Sequence, residues 1–112
     1  MLSWSSTHAG QQVDLVAVAE GAGDVGLEHG RALLRFAGAC GGTDDRELGA
    51  ARSALIDETD VAFMVDAAAV AANFEMMTRL ADGTGARLTE QRLREAAAQI
   101  ETMHIADLTS RR

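Results

Sequence analysis

The feature that most constrains the fold is an uninterrupted, alanine-rich stretch at residues 61–82, VAFMVDAAAVAANFEMMTRLAD. The whole chain contains no proline, so no residue removes a hydrogen bond from a helix here. The acidic run DETD at residues 57–60 precedes the stretch, where negative charge favours the start of a helix. Gly83 follows as a suitable C′ residue. The sequence therefore predicts one helix from about Asp60 to Asp82, about 35 Å long at 1.5 Å per residue.

Apolar side chains cover more than half of the circumference of this predicted helix, namely Val61, Met64, Val65, Ala68, Val70, Phe74, Met77 and Leu80. Such a helix needs burial on several sides. The other predicted helices are short, so a monomer would expose a patch larger than the few hundred Å² that soluble monomers tolerate. We therefore expect a homodimer or a higher closed oligomer. Apolar residues of the last helix would provide the other half of the contact: Leu93, Ile100 and Met103.

Three further helices are predicted, at residues 24–39, from Asp44 to about Leu55, and after Thr89. Asp24, Asp44 and Thr89 each have a side chain that can cap the first turn. Residues 11–20 fit either a helix or a strand. The expected fold is all-α, a small bundle of four to five helices. Residues 11–112 would form a single helical domain, preceded by a flexible N-terminal segment at residues 1–10.

Charge and composition exclude several classes of partner. The net charge is −7 and the pI is near 4.8, which argues against nucleic acid and against anionic membrane surfaces. No apolar run approaches the roughly 20 residues of a membrane span, and residues 1–10 do not resemble a signal peptide. The single cysteine, Cys40, cannot form an internal disulfide. We therefore expect a cytoplasmic protein.

The glycines of GAGDVG, residues 21–26, match the spacing G-x-G-x-x-G of dinucleotide-binding loops. That site needs a strand before the glycines and a second parallel strand after the following helix. VDLVAVA, just upstream, could be the first strand, but nothing downstream resembles the second. The motif is better interpreted as a break between helices.

Glu28 lies twelve residues before Cys40. The spacing resembles that of alkylhydroperoxidase D-type enzymes, which have a Glu, then eleven residues, then C-x-x-C and a His four residues further on. Their chemistry needs two thiols and a proton relay. Here Thr43 and Glu47 occupy the positions of the second Cys and of the His, so dithiol peroxidase activity is not expected. A lone Cys near Phe36 on an apolar stripe is expected to be buried.

Two further residues are candidates for proton transfer. Asp66 lies among Ala and Val residues, where burial would raise its pKa unless it pairs with an arginine or caps a neighbouring helix. His104 lies on the apolar stripe of the last helix and is expected in the core or in an interface. His29 follows Glu28 and is interpreted as part of a solvated face. The histidines show no metal-ligand spacing, and we expect neither a metal nor a cofactor.

Three stretches together resemble one family: RALLRFAGA (31–39), ELGAARSAL (47–55) and VDAAAVAANFEMMTRLADGTGARL (65–88). They are similar to the carboxymuconolactone decarboxylase / alkylhydroperoxidase D-like superfamily, in particular to its peroxidase-related members. The last core helix of that family reads like AAAVAANFxxMxRxADxTGxPL. Five positions coincide, Asn73, Phe74, Arg79, Asp82 and Gly85, whereas Ala86-Arg87 replaces the usual bulky residue and Pro.

The resemblance implies an all-helical fold that assembles into homo-oligomers, and catalytic members that reduce peroxides or decarboxylate a lactone. Two hypotheses follow. The first is a non-redox member with a structural or small-ligand-binding role, for which a small apolar molecule is the expected ligand. The alternative is an enzyme that uses Asp66, His104 or Cys40 in a pocket between subunits, with Glu28 as a further candidate.

Overall fold

Helices form all the regular structure of residues 10, 12–21 and 23–104, the part of the chain that the computed structural model describes. In chain order they are α1 (Leu15–Glu20), α2 (Gly30–Cys40), α3 (Asp45–Glu58), α4 (Val61–Thr84), α5 (Glu90–Glu95) and α6 (Ala97–Thr102). The all-α prediction is confirmed, but these six helices differ from the four to five expected. The predicted flexible segment at residues 1–10 lies, apart from Gly10, outside the described residues.

The core lies between α2, α3 and the first half of α4. Phe36 on α2 and Ala51 and Leu55 on α3 are buried against one another. Around them pack half-buried apolar side chains of all three helices, Ala32, Leu33, Ala39, Leu48, Met64, Ala67 and Ala68. The two adjacent alanines allow the backbone of α4 to approach the other helices closely. Only the first turns of α4 contribute to this cluster.

Side chains cap the starts of α3 and α4, the first at the predicted position Asp44 and the second at Asp60, where only a favourable negative charge was predicted. The Asp44 Oδ1 accepts hydrogen bonds from the backbone N–H of Arg46 at 2.9 Å and of Glu47 at 3.1 Å, and α3 begins there. The Asp60 Oδ1 accepts from the N–H of Phe63 at 2.8 Å and starts α4. These bonds satisfy N–H groups that have no partner within the first turn of a helix.

The joint between α3 and α4 consists of only two residues, Thr59 and Asp60. α3 runs three residues beyond its predicted end near Leu55, to Glu58. The Thr59 hydroxyl donates to the backbone carbonyl of Leu55 at 2.6 Å and so ends α3 directly over the core.

α4 ends later than predicted. Gly83 lies inside the helix, and Gly85 is the residue in the left-handed conformation, with φ 68°. The backbone N–H of Gly85 bonds the carbonyls of the last turn, which is how a C-terminal glycine closes a helix. Either glycine satisfies the sequence rule, so the sequence alone could not choose between them.

The predicted start of α2 at Asp24 is wrong. The Asp24 carboxylate accepts from the N–H of Gly26 at 2.9 Å and closes a turn instead. The backbone of Asp14 donates to the carbonyl of Val25 at 3.1 Å. Gly26 has φ 76°, and a side chain there would collide with the carbonyl of Gln12. The contact with the preceding segment therefore keeps this stretch out of a helix until Gly30.

Residues 15–20 and the segment after Thr89 both bear on the sequence predictions. Residues 15–20 are helical, and the Asp14 side chain caps them. A helix thus precedes Gly21, and the described residues that follow contain no strand, so the dinucleotide-loop interpretation is excluded. The single helix predicted after Thr89 is interrupted at Ala96, and α6 packs against α1 and α5.

Replacing Leu55 by Ala should test this core. Leu55 is 0% exposed, and a Leu→Ala change at such a position costs about 2–5 kcal/mol of unfolding free energy. The matched control is Leu88→Ala, because Leu88 is 62% exposed and its loss should change stability by about 0.5 kcal/mol or less. Urea unfolding at one protein concentration measures both. Equal effects of the two substitutions would contradict the placement of the core.

Candidate functional site

The structure does not bring the four candidate residues together. Asp66, Cys40, Glu28 and His104 are all exposed, and they lie on α4, at the end of α2, before α2 and after α6. None of the four lines the groove beside His29 or the groove beside the Arg35–Glu47 ion pair.

The expected burial of Cys40 is wrong. Cys40 is the last residue of α2, while the last buried residue of that helix, Phe36, lies one turn earlier. The apolar stripe therefore extends beyond the cover that α3 and α4 provide. Glu28 precedes the other end of α2, and the eleven residues of the helix separate the two by about 16 Å. The spacing that suggested a relay between Glu28 and Cys40 thus spans a helix along its length.

The structure also corrects the expected core position of His104 and the expected burial or pairing of Asp66. His104 is exposed and follows α6 with φ 52°, so it does not lie in the core. Asp66 is exposed on α4, on the side away from Met64, Ala67 and Ala68. Among the described residues it neither forms an ion pair nor caps a helix. In the single chain it is therefore a solvated carboxylate.

His29 is the residue that the sequence interpretation missed. Its Nδ1 lies 2.9 Å from the Oε1 of Glu58 at the end of α3, and its Nε2 lies 3.6 Å from the Oε1 of Glu28. Its ring meets that of Phe63 edge to face, with 5.8 Å between centroids. His29 thus joins the start of α2 to both sides of the α3–α4 joint. Glu58 is twenty-nine residues away in sequence, so no local pattern could have indicated this contact.

An open groove of about 460 Å³ lies beside His29. Its walls are formed by Gly23, Asp24, Leu27, His29, Gly30, Arg31, Ala32, Arg35, Ala54 and Glu58. An imidazole held by a carboxylate is the arrangement that orients a general base. Here, however, both ring nitrogens face carboxylates, and no hydroxyl or thiol side chain is among the described residues that line the groove. The geometry is that of a structural hydrogen bond between two helices, at the side of a charged groove.

A second groove, of about 330 Å³, lies beside an ion pair between α2 and α3. The Arg35 Nε donates to the Glu47 Oε1 at 2.7 Å, and its Nη2 donates to the Oε2 at 3.1 Å. The hydrogen bond from Arg35 lowers the pKa of Glu47, and the same contact raises the pKa of Arg35. Thr43 also lines this groove. Glu47 thus binds a guanidinium.

Two further properties bear on function. Over residues 10, 12–21 and 23–104, no three His, Cys, Asp or Glu side chains are grouped as a metal site would require. α4, with 24 residues and a mean hydropathy of 1.3 in its most apolar window, is long and apolar enough to cross a membrane by length and composition alone. The expectation that no apolar run approaches the length of a membrane span therefore needs correction. α4 has the required length and mean hydropathy although it contains a few charged residues.

Comparison with protein-family models, with curated proteins and with solved structures finds no match for this chain.

Cys40 should react rapidly with a thiol reagent in the folded protein, because its side chain is exposed. We expect native and urea-denatured protein to be labelled at similar rates at the same pH, followed by the absorbance of the released thiolate. Cys40→Ser is the control and should give no signal. Labelling that is many times slower in the native protein would show that Cys40 is covered, either within the chain or by a second copy.

The ion pair predicts a pH dependence. The pKa of Glu47 is lower in the folded chain than the value near 4.3 of an unfolded Glu. The stabilisation is therefore complete above the unfolded pKa and is lost as the pH falls through the folded pKa. Glu47→Gln should lower the unfolding free energy at pH 7, by a small amount because the pair is exposed.

The difference between wild type and Glu47→Gln should shrink below about pH 4, as measured by urea unfolding across pH. Glu20→Gln is the control, since Glu20 is exposed and forms no ion pair among the described residues. A difference that stays constant down to acid pH would disprove the contribution of the charged pair.

Proposed function

We propose that this chain is a non-redox helical domain of the alkylhydroperoxidase D-like kind that acts as a homo-oligomer, with a structural or small-ligand-binding role. The observation that carries the proposal is the surface of α4. None of its 24 residues is buried. Its exposed large apolar side chains are Val61, Phe63, Val65, Val70, Phe74, Met76, Met77 and Leu80.

The exposure of these eight side chains supports the same proposal. Each of them is between 38% and 63% exposed, and soluble monomers rarely leave large apolar patches open to water. A second copy is the simplest cover, since most soluble oligomers are symmetric assemblies of one chain.

A membrane is a less suitable cover for α4. The helix carries Asp66, Glu75 and Arg79, and a charged residue near the centre of a bilayer costs roughly 2.5–3.5 kcal/mol. Asn73 adds a further polar group between them. Apolar residues alternate with these polar ones around the circumference, which suits a protein interface with hydrogen-bonding partners. The proposal accordingly keeps the expected cytoplasmic setting.

The non-redox part of the proposal depends on the surroundings of Cys40. It is the only cysteine of the chain, and Glu47, which stands where the resemblance would require the relay His, is held by Arg35 at 2.7 Å. The enzymatic alternative has less support, because Asp66, His104 and Cys40 lie on separate parts of the surface.

The expected small apolar ligand stays a proposal. The groove beside His29 has charged walls that include Arg31, Arg35 and Glu58, and drug-sized apolar ligands prefer mostly apolar pockets. An apolar ligand would find a better site against α4, in a space closed by a second copy.

Sedimentation equilibrium at low micromolar concentration tests the oligomer. We expect a dimer or a higher closed species whose mass changes little with salt, because the contact is mainly apolar. A mass of 11.8 kDa, that of one chain, would overturn the proposal.

Incubation with a hydroperoxide and a dithiol reductant tests the non-redox role. We expect no turnover above the buffer rate, and the same result for Cys40→Ser. A turnover that disappears in Cys40→Ser would establish thiol chemistry and refute the non-redox proposal.

A further inference from the structure

The exposed face of α4 carries a regular pattern. On the side opposite Met64, Ala67 and Ala68, six exposed residues follow one another at alternating spacings of four and three: Ala62, Asp66, Ala69, Asn73, Met76 and Leu80. We call these six residues the outward stripe. Spacings of four and three that repeat every seven residues are those of the seam between two paired helices.

The side chains of the outward stripe suit close pairing. Ala62 and Ala69 are small, so a second helix can approach the backbone there. Val65, Val70 and Met77 flank the stripe and are themselves exposed. They would cover the sides of a contact centred on the alanines. Whether the two helices pair in parallel or antiparallel orientation then depends on the polar members of the stripe, Asp66 and Asn73.

A parallel pair would place Asp66 against Asp66 of the partner subunit. Two like charges in an apolar seam are strongly unfavourable. In an antiparallel pair centred on Ala69, Asp66 lies three residues before the centre and Asn73 four residues after it. Each Asp66 then lies within about 1.5 Å, along the helix axis, of the level of Asn73 of the partner subunit. The pair therefore contains two such contacts, one on each side of Ala69. In each of them the amide N–H of Asn73 can donate to the carboxylate of Asp66 of the partner subunit.

The ends of α4 carry complementary charge in the same arrangement. Arg79 lies ten residues after Ala69, and Thr59 lies ten residues before it. An antiparallel copy therefore brings Arg79 close to the start of α4 in the second copy, where the N-cap is Asp60 of the partner subunit. The Arg79 Nε bonds Glu75 within its own helix at 2.8 Å, and the guanidinium has further N–H groups to donate.

We propose that two copies pair antiparallel through the outward stripe, with Ala69 near the two-fold axis and Asp66 bonded to Asn73 of the partner subunit. This inference rests on the proposed homo-oligomer and specifies its surface and orientation. The acid that is solvated in the single chain is a hydrogen-bonded member of the interface in the dimer.

Distances between spin labels test the orientation. In the Cys40→Ser background, three single variants, Ala62→Cys, Ala69→Cys and Met76→Cys, each carry one label, and pulsed dipolar spectroscopy measures the distance between copies. We expect the shortest distance at position 69. Positions 62 and 76 each lie seven residues from the centre, so their labels should be separated by about 20 Å more along the axis.

Two outcomes of this measurement are informative beyond the expected one. Equal distances at the three positions would establish a parallel pair and overturn the inference. A dimer mass with long distances at all three positions would place the contact elsewhere, overturning the inference while the proposed homo-oligomer stands. A wild-type monomer mass would overturn both. Sedimentation of each labelled variant shows that labelling has not itself changed the assembly.

Exchange of the polar pair tests the predicted hydrogen bond. Asn73→Asp places two carboxylates side by side at both ends of the pair and should weaken dimerisation about tenfold or more. The double variant Asp66→Asn/Asn73→Asp restores one acid and one amide at each contact and should recover most of the affinity. Thr78→Asp adds the same charge to α4 away from the stripe and should have little effect.

The dissociation constants from sedimentation decide the outcome. Equal weakening by Asn73→Asp and Thr78→Asp would show a general effect of charge and overturn the inference. Failure of the double variant to recover affinity would do the same. Circular dichroism of each variant checks that α4 stays helical.

Discussion

The contact of Phe36 with Ala51 and Leu55 is the interaction on which the rest of the structure depends. It joins α2 to α3, and Met64, Ala67 and Ala68 in the first turns of α4 pack against it. The helical ends near it are fixed by local bonds, from Asp44 at the start of α3 and from Thr59 at its end. A short hairpin with well-defined ends can therefore hold a much longer helix in place.

This core is too small to use the whole of α4. Met64, Ala67 and Ala68 meet α2 and α3, but among the described residues the rest of the helix carries exposed apolar side chains such as Val65, Val70 and Leu80. Burial of apolar surface is the main favourable contribution to folding, so association that covers these side chains would add to the stability of the chain. The proposed pairing through the outward stripe follows from that exposure and from the positions of Asp66 and Asn73.

The features that the sequence predicted correctly depend on neighbours within one turn. Asp44 and Thr89 cap helices as predicted, because each side chain reaches an N–H two or three residues ahead. The length and apolar character of α4 likewise follow from a continuous local pattern. Such interactions have the same geometry in any fold, which is why a pattern in the sequence is enough to identify them.

The features that the sequence missed depend on residues far apart in the chain. Asp24 does not start α2, because the backbone of residues 12–14 packs against the turn that follows it. Cys40 is exposed because α2 extends past its neighbours, and their lengths cannot be read from α2 itself. His29 acquires Glu58 and Phe63 as partners only when α3 and α4 fold back onto the start of α2. The candidate site was therefore the least predictable part.

Because only two residues join α3 to α4, a small change of angle at this joint would displace the far end of α4 by a large distance. The contacts of His29 with Glu58 and Phe63 fix the start of α4, on either side of Thr59 and Asp60. From that point the helix extends about 36 Å, so a tilt of about 5° at the joint moves its far end by about 3 Å. A change of a few degrees in the angle between α3 and α4, beside the imidazole of His29, would therefore displace the far end of α4 by about the spacing between neighbouring side chains.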